Sequence, residues 1–150
     1  MNKITSLYNR AIAAVSSPIA EAITLLFVRV SLAGIFWRSG RTKVEEGTWL
    51  TLSDNAKTLF QEEYAGVPLP SEFAAWLALG AEHLFPILLV LGLLTRVSAM
   101  ALLIMTLVIQ IFVYPDAWWQ MHIICVALAM VLMVRGAGIL SVDRVFAGRK

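Results

Sequence analysis

The 150-residue chain is 59% hydrophobic and only 15% charged, with a mean hydropathy of +0.78 and a formal net charge of +2. A soluble domain stays nearer about 45–50% apolar and about 25% charged, so the excess here must face lipid. The scattered basic residues exclude an electrostatic footprint for nucleic acid. The single cysteine, Cys125, excludes a disulfide scaffold and a dithiol relay. Length allows one domain over residues 1–150.

The first element is amphipathic. Ile4, Leu7, Tyr8, Ala11, Ile12 and Val15 recur at helical spacing, and Asn2, Lys3, Asn9 and Arg10 fall elsewhere. This predicts an interfacial helix over about 3–16, shorter than a span and distinct from a cleavable signal peptide. Ser16-Ser17-Pro18 ends it and opens the first span. Four stretches approach the roughly 20 apolar residues that cross about 30 Å of hydrocarbon: 19–37, 73–94, 97–114 and 118–134. Their short connections predict an all-α integral membrane protein, a four-helix transmembrane bundle with up-down antiparallel packing.

Between spans one and two lies the one long polar loop, about Arg38 to Glu72. Residues 49–60 are consistent with a short surface helix there. Val67-Pro68-Leu69-Pro70 reads as a rigid extended approach, with Ser71 as cap of the second span. Basic residues set the orientation. Lys3, Arg10, Arg96, Arg135, Arg144, Arg149 and Lys150 fall on the side of the termini, which the positive-inside rule places in the cytoplasm. The opposite side carries Arg38, Arg41, Lys43 and Lys57 amid five acidic residues, and Trp37, Trp76, Tyr114, Trp118 and Trp119 gather there as an aromatic belt.

Ionisable side chains at membrane depth are costly and are usually paired and functional. At 1.5 Å per residue, Arg29, Glu82 and His83 fall in one layer near the midplane. An Arg29–Glu82 ion pair is expected, because either alone is an uncompensated charge. His83 beside it is either a capping partner or a proton carrier or ligand. Gln110 and His122 form an outer layer at roughly 6 Å depth, within reach of a mutual hydrogen bond. Met121, His122 and Cys125 share a helical face but make only a weak soft-metal surface, so no metal site is expected. Haem is not expected either, since about 9 Å of depth separates His83 from His122.

Three segments carry a resemblance. They are Arg29-Val-Ser-Leu-Ala-Gly34-Ile-Phe-Trp-Arg-Ser-Gly40-Arg-Thr-Lys43; Glu82 with Leu91-Gly92-Leu-Leu-Thr-Arg96; and Arg135-Gly136-Ala-Gly138-Ile-Leu-Ser141-Val-Asp143. In this order and spacing the chain resembles the DoxX family of small bacterial membrane proteins. Arg29, Gly40, Lys43, Glu82 and Arg96 match the family's recurrent positions, and His122 looks like a histidine found in one subset. The family's usual tail has proline where Ala137 stands, and its outer loop is shorter and less acidic.

The resemblance implies a bacterial inner-membrane protein, a subunit of a quinone-linked redox system tied to thiosulfate, thiol or oxidative stress. If it is catalytic, it is a quinone-linked oxidoreductase subunit. The cofactor it implies is a quinone, with Arg29, Glu82, His83, Gln110 and His122 as candidate contacts. Redox partner proteins and a homo-oligomer are the protein partners it admits beyond the lipid bilayer. The alternatives are a scaffold that anchors soluble partners, favoured by the protruding loop, and, ranked last, a small transporter, for which no inverted repeat is seen.

Overall fold

A computed structural model describes residues 3–148; Asn2, Arg149 and Lys150, used above for amphipathicity and orientation, lie outside them. Among the described residues the chain is helical, with one isolated antiparallel bridge between Val44 and Leu52. Helix α1 (Lys3–Val15) buries none of its residues, and its apolar side chains Ile4, Leu7 and Tyr8 are open. Ser17 then caps the first span, its Oγ accepting from the Ala20 N–H at 3.2 Å, and Pro18 takes the first helical position, where a missing N–H costs nothing.

Four helical stretches are long and apolar enough to cross a membrane: α2 (Pro18–Arg41), α4 (Ser71–Leu91), α5 (Thr95–Phe112) and a fourth over Pro115–Arg135. The fourth is composite, with a 3-10 turn (Pro115–Ala117), a π-helical turn (Trp118–His122) and α6 (Ile123–Arg135). Each of α2 and α5 packs against both α4 and α6, so the four close into a ring. Inside it Leu32, Phe36, Leu89, Leu102, Cys125 and Leu132 form a dry core. Outside it large apolar side chains such as Phe27, Ile87, Ile111 and Val134 are exposed. A surface so apolar on every side is stable only against lipid.

The span boundaries depart from the sequence expectation for identifiable reasons. Helix α2 runs on to Arg41 instead of stopping at Trp37, since Arg38 and Arg41 in its last turn complement the negative end of the helix dipole. Ser71 does not cap α4. The cap position is Pro70, whose carbonyl accepts from Ala74 N–H at 2.9 Å. Residues 49–53 are not helical but return to Lys43–Glu45 through Glu45 N–H to Thr51 O and Ser53 N–H to Lys43 O. Ser53 then caps α3 (Asp54–Glu62), which packs on α4 through Ala56 and Phe60.

Helix α4 ends at Leu91 because Gly92 adopts a left-handed φ of +67°. Beyond α6 the tail folds back across the bundle end as α7 (Val142–Ala147), an element the sequence reading lacked. Asp143 fixes the turn there: its carboxylate accepts from Leu94 N–H (2.8 Å) and Thr95 N–H (3.0 Å), holding Leu94 at φ +50° and capping α5. At Gly92 an added Cβ would overlap Arg29 Nη1 and come within 2.5 Å of Ser141 Cβ. Gly92→Ala should therefore lose more than about 1 kcal/mol. Gly34→Ala, whose Cβ would meet nothing within 4 Å, should hold or raise stability. Thermal unfolding of the two variants in detergent checks the contrast, and equal melting would contradict it.

Candidate functional site

The expected Arg29–Glu82 pair is not formed. Every Cα–Cβ bond in an α-helix tilts toward that helix's own N-terminus. Helices α2 and α4 are antiparallel, so at similar depth Arg29 leans toward the end of the bundle that carries the termini and Glu82 toward the loop end. The two charges find separate partners.

Arg29 is fully buried and is held by main-chain carbonyls. Its Nη1 donates to Leu89 O and Val90 O (3.3 and 3.4 Å) and its Nη2 to Leu140 O (2.5 Å). The first two carbonyls lie in the last turn of α4, where the helix dipole favours a cation, and Leu89 O also accepts from Gly92 N–H at 3.1 Å. The third comes from the returning tail. Arg29 is thus a clamp between α2, α4 and the tail, and Gly92 leaves the space its guanidinium fills.

Glu82, 1% exposed, meets Lys43, 5% exposed. Lys43 Nζ lies 2.8 Å from Glu82 Oε2 and donates to Ser39 Oγ at 3.1 Å, while the Ser39 hydroxyl donates to Glu82 Oε1 at 3.1 Å. All three sit at the end of α2 and the middle of α4. Gly40 allows the approach, since a Cβ there would fall 2.8 Å from His83 Cε1 and 3.0 Å from Glu82 Cβ. The extension of α2 past Trp37, one helical turn, carries Ser39 and Gly40 into this cluster and sets Lys43 just beyond its end.

His83 completes the cluster. Its Nδ1 is 2.8 Å from Leu79 O, and a carbonyl only accepts, so Nδ1 carries the hydrogen. In the neutral ring Nε2 is then an acceptor, buried and without a partner among the described residues. The Trp37 indole packs edge-on against the imidazole at 5.0 Å between centroids. Trp37 also stands in the wall of an apolar groove of about 300 Å³ on the lipid face, shared with Val30, Gly34, Pro86, Ile87 and Leu91. Gly34 contributes no side chain to that groove, and Pro86 has no N–H for the Glu82 carbonyl one turn earlier.

An aromatic group packs on α4 at the loop end. Phe60 and Tyr64 stack at 4.1 Å, Tyr64 meets Tyr114 edge-on at 6.4 Å, and the Tyr114 hydroxyl donates a short hydrogen bond to Glu63 Oε2. Burial pushes the Tyr64 phenol well above its ordinary pKa, with the fields of Tyr114, Glu82 and Glu63 adding to it. The hydrogen bond to Glu63, followed by burial, pushes Tyr114 up from 10 to about 12.

Gln110 and His122 meet, His122 Nδ1 lying 2.6 Å from Gln110 Oε1. The Gln110 amide donates in turn to Pro115 O at 2.6 Å. The pair ties α5 to the π-helical turn and closes the Tyr114-Pro115 connection. No hydrogen bond among the described residues joins it to Glu82 or His83. The five candidate residues therefore fall into three places: Arg29 at one end, Glu82 and His83 at the other, and Gln110 with His122 at the last connection. No group of three His, Cys, Asp or Glu side chains is arranged to hold a metal ion among the described residues.

The DoxX family model matches residues 24–115, which include Arg29, Gly40, Lys43, Glu82 and His83. The chain belongs to the DoxX family. It is 30% identical to a Haemophilus influenzae protein described as uncharacterized, over 83% of this chain and 84% of the relative. No solved structure matches the chain.

In this DoxX protein the sequence reading missed Ser39, Trp37 and Tyr64 as site neighbours and placed Lys43 only as a family position. Lys43 i+4 from Ser39, with Gly40 between them, was the available signal. Removing one partner of the pair should destabilise by about 3–5 kcal/mol, whereas replacing both with apolar residues should be close to neutral. Unfolding of Lys43→Met against Lys43→Met/Glu82→Met checks this, and an additive double variant would contradict it. The raised Tyr114 pKa means that the folded chain favours the neutral phenol. That contribution is present below pH 10 and is lost as pH rises through about 12. Glu63→Gln should bring the Tyr114 titration, read by phenolate absorbance, back toward 10.

Proposed function

We propose that this DoxX protein is a subunit of a membrane redox system and holds a quinone or quinol headgroup where the α2–α4 groove meets Trp37 and His83. One observation carries the reading: a buried imidazole acceptor without a partner among the described residues, next to an apolar groove open to lipid. An isoprenoid tail suits the groove, whose wall includes the aliphatic side chains of Val30, Ile87 and Leu91. The Trp37 ring borders both the groove and the imidazole and offers a surface on which a flat headgroup stacks.

A quinol hydroxyl is a donor and His83 Nε2 an acceptor, so the neutral ring recognises the reduced form. Proton transfer to Nε2 creates an imidazolium beside Glu82, whose carboxylate offsets that charge while Lys43 and Ser39 hold it in place. What accepts the electrons belongs to a partner protein. The basic residues Lys3, Arg10, Arg96, Arg135 and Arg144 favour a cytoplasmic position for the termini in a bacterial inner membrane, with α1 lying in the interface.

Quinone carried through purification from native membranes measures the site directly. Gly34→Leu fills the groove where a Cβ meets nothing, and His83→Phe removes the acceptor. Each should lower the retained quinone about tenfold, the equivalent of one lost buried hydrogen bond or more. Wild-type retention in folded samples of both variants would overturn the reading.

A further inference from the structure

The end of the bundle that carries the termini holds a second recess, remote from His83 and independent of the quinone reading. It is a cavity of about 610 Å³ between the start of α2, the start of α5, the end of α6 and the returning tail. Arg96, Arg135 and Arg144 stand in its wall, with Glu21 and Asp143 as the acidic residues. Both carboxylates are already committed. Glu21 is paired with Arg135, and Asp143 accepts from two main-chain N–H groups. Arg96 makes a single 3.3 Å bond to Val134 O, and the Arg144 side chain has no hydrogen-bond or ion-pair partner among the described residues. Three guanidinium groups against two carboxylates leave the recess net positive, and neither Arg96 nor Arg144 has an ion-pair partner among the described residues.

Thr95 is a second, separate sign. It lies in the same wall, is fully buried, and its Oγ1 has no partner among the described residues. The remaining wall is apolar, from Leu25, Val97 and Ile139. Depth decides what such a mixed surface meets. Glu21 is in the first turn of α2, Arg96 in the first of α5 and Arg135 in the last of α6, so the recess opens at the level where spans leave the hydrocarbon.

We infer that this recess binds the phosphodiester headgroup of an anionic phospholipid, with Arg96 and Arg144 on the phosphate and the apolar wall against the glycerol and upper acyl chains. A guanidinium fork matches phosphate oxygens, and basic recesses between membrane helices at headgroup level recognise anionic lipids. The site would couple the tail, which also clamps Arg29, to the composition of the surrounding leaflet.

The test uses the full chain in an uncharged detergent, with melting temperature and lipid retention read after adding phosphatidylglycerol, phosphatidylcholine or inorganic phosphate. Phosphatidylglycerol should raise the melting temperature and be retained at least about tenfold over phosphatidylcholine, with inorganic phosphate inert at equal concentration. Arg144→Gln, an exposed change that leaves the fold intact, and Arg96→Gln should each reduce that preference about fivefold. Equal protection by phosphatidylcholine, substitution by inorganic phosphate, or an undiminished preference in Arg144→Gln would overturn the inference.

Discussion

An ammonium and a carboxylate more than nine-tenths buried in an apolar bundle must act as each other's solvent, and Lys43 and Glu82 do so at 2.8 Å. Much of the loop end follows from that requirement. Helix α2 has to run through Ser39 and Gly40 and set Lys43 just past its end, level with the middle of α4. Gly40 has to be bare for α4 to come close, and Ser39 has to supply the second hydrogen bond to the carboxylate. Next to Lys43 in sequence, the Val44–Leu52 bridge packs with α3 on the first half of α4, and Phe60 and Tyr64 stack there. Water at the pair would screen it and remove the reason for its geometry, and the burial of both side chains keeps water out.

The other end answers a different demand. Arg29 forms no ion pair among the described residues, and its charge is spread over carbonyls at the end of α4 and in the tail. That arrangement makes the tail part of the fold. Asp143 holds Leu94 and Thr95, Gly92 gives way to the guanidinium, and the α4–α5 turn and the returning tail fix one another. Between the two ends the ring of helices is ordinary dry packing around Leu32, Leu89, Leu102 and Leu132.

The four spans were legible from hydropathy, because an apolar run of that length has one physical use. The Ser17-Pro18 start was legible from capping chemistry, and Gln110–His122 from depth counted across a short turn. Partners of the charged residues were not. Depth alone put Arg29 level with Glu82, but it ignored that antiparallel helices send their side chains in opposite directions, by several ångströms for an arginine. The end of α2 was also hidden, since Arg38 and Arg41 look like loop residues until the helix dipole is taken into account. The tail helix α7 depends on contacts far apart in sequence, between Asp143 and Leu94 and between Leu140 and Arg29, which no local pattern announces.

Within this DoxX chain the imidazole of His83 carries a buried acceptor, without a partner among the described residues, beside the apolar α2–α4 groove, and the functional account stands or falls on that nitrogen. Nitrogen NMR of ring-labelled histidine, recorded on the detergent-solubilised chain with and without added quinol, reports on it directly. The account predicts that the His83 Nε2 resonance moves on quinol addition while Nδ1, bonded to Leu79 O, stays in place. An Nε2 resonance indifferent to saturating quinol, in a sample whose Nδ1 signal shows the native hydrogen bond, would contradict it.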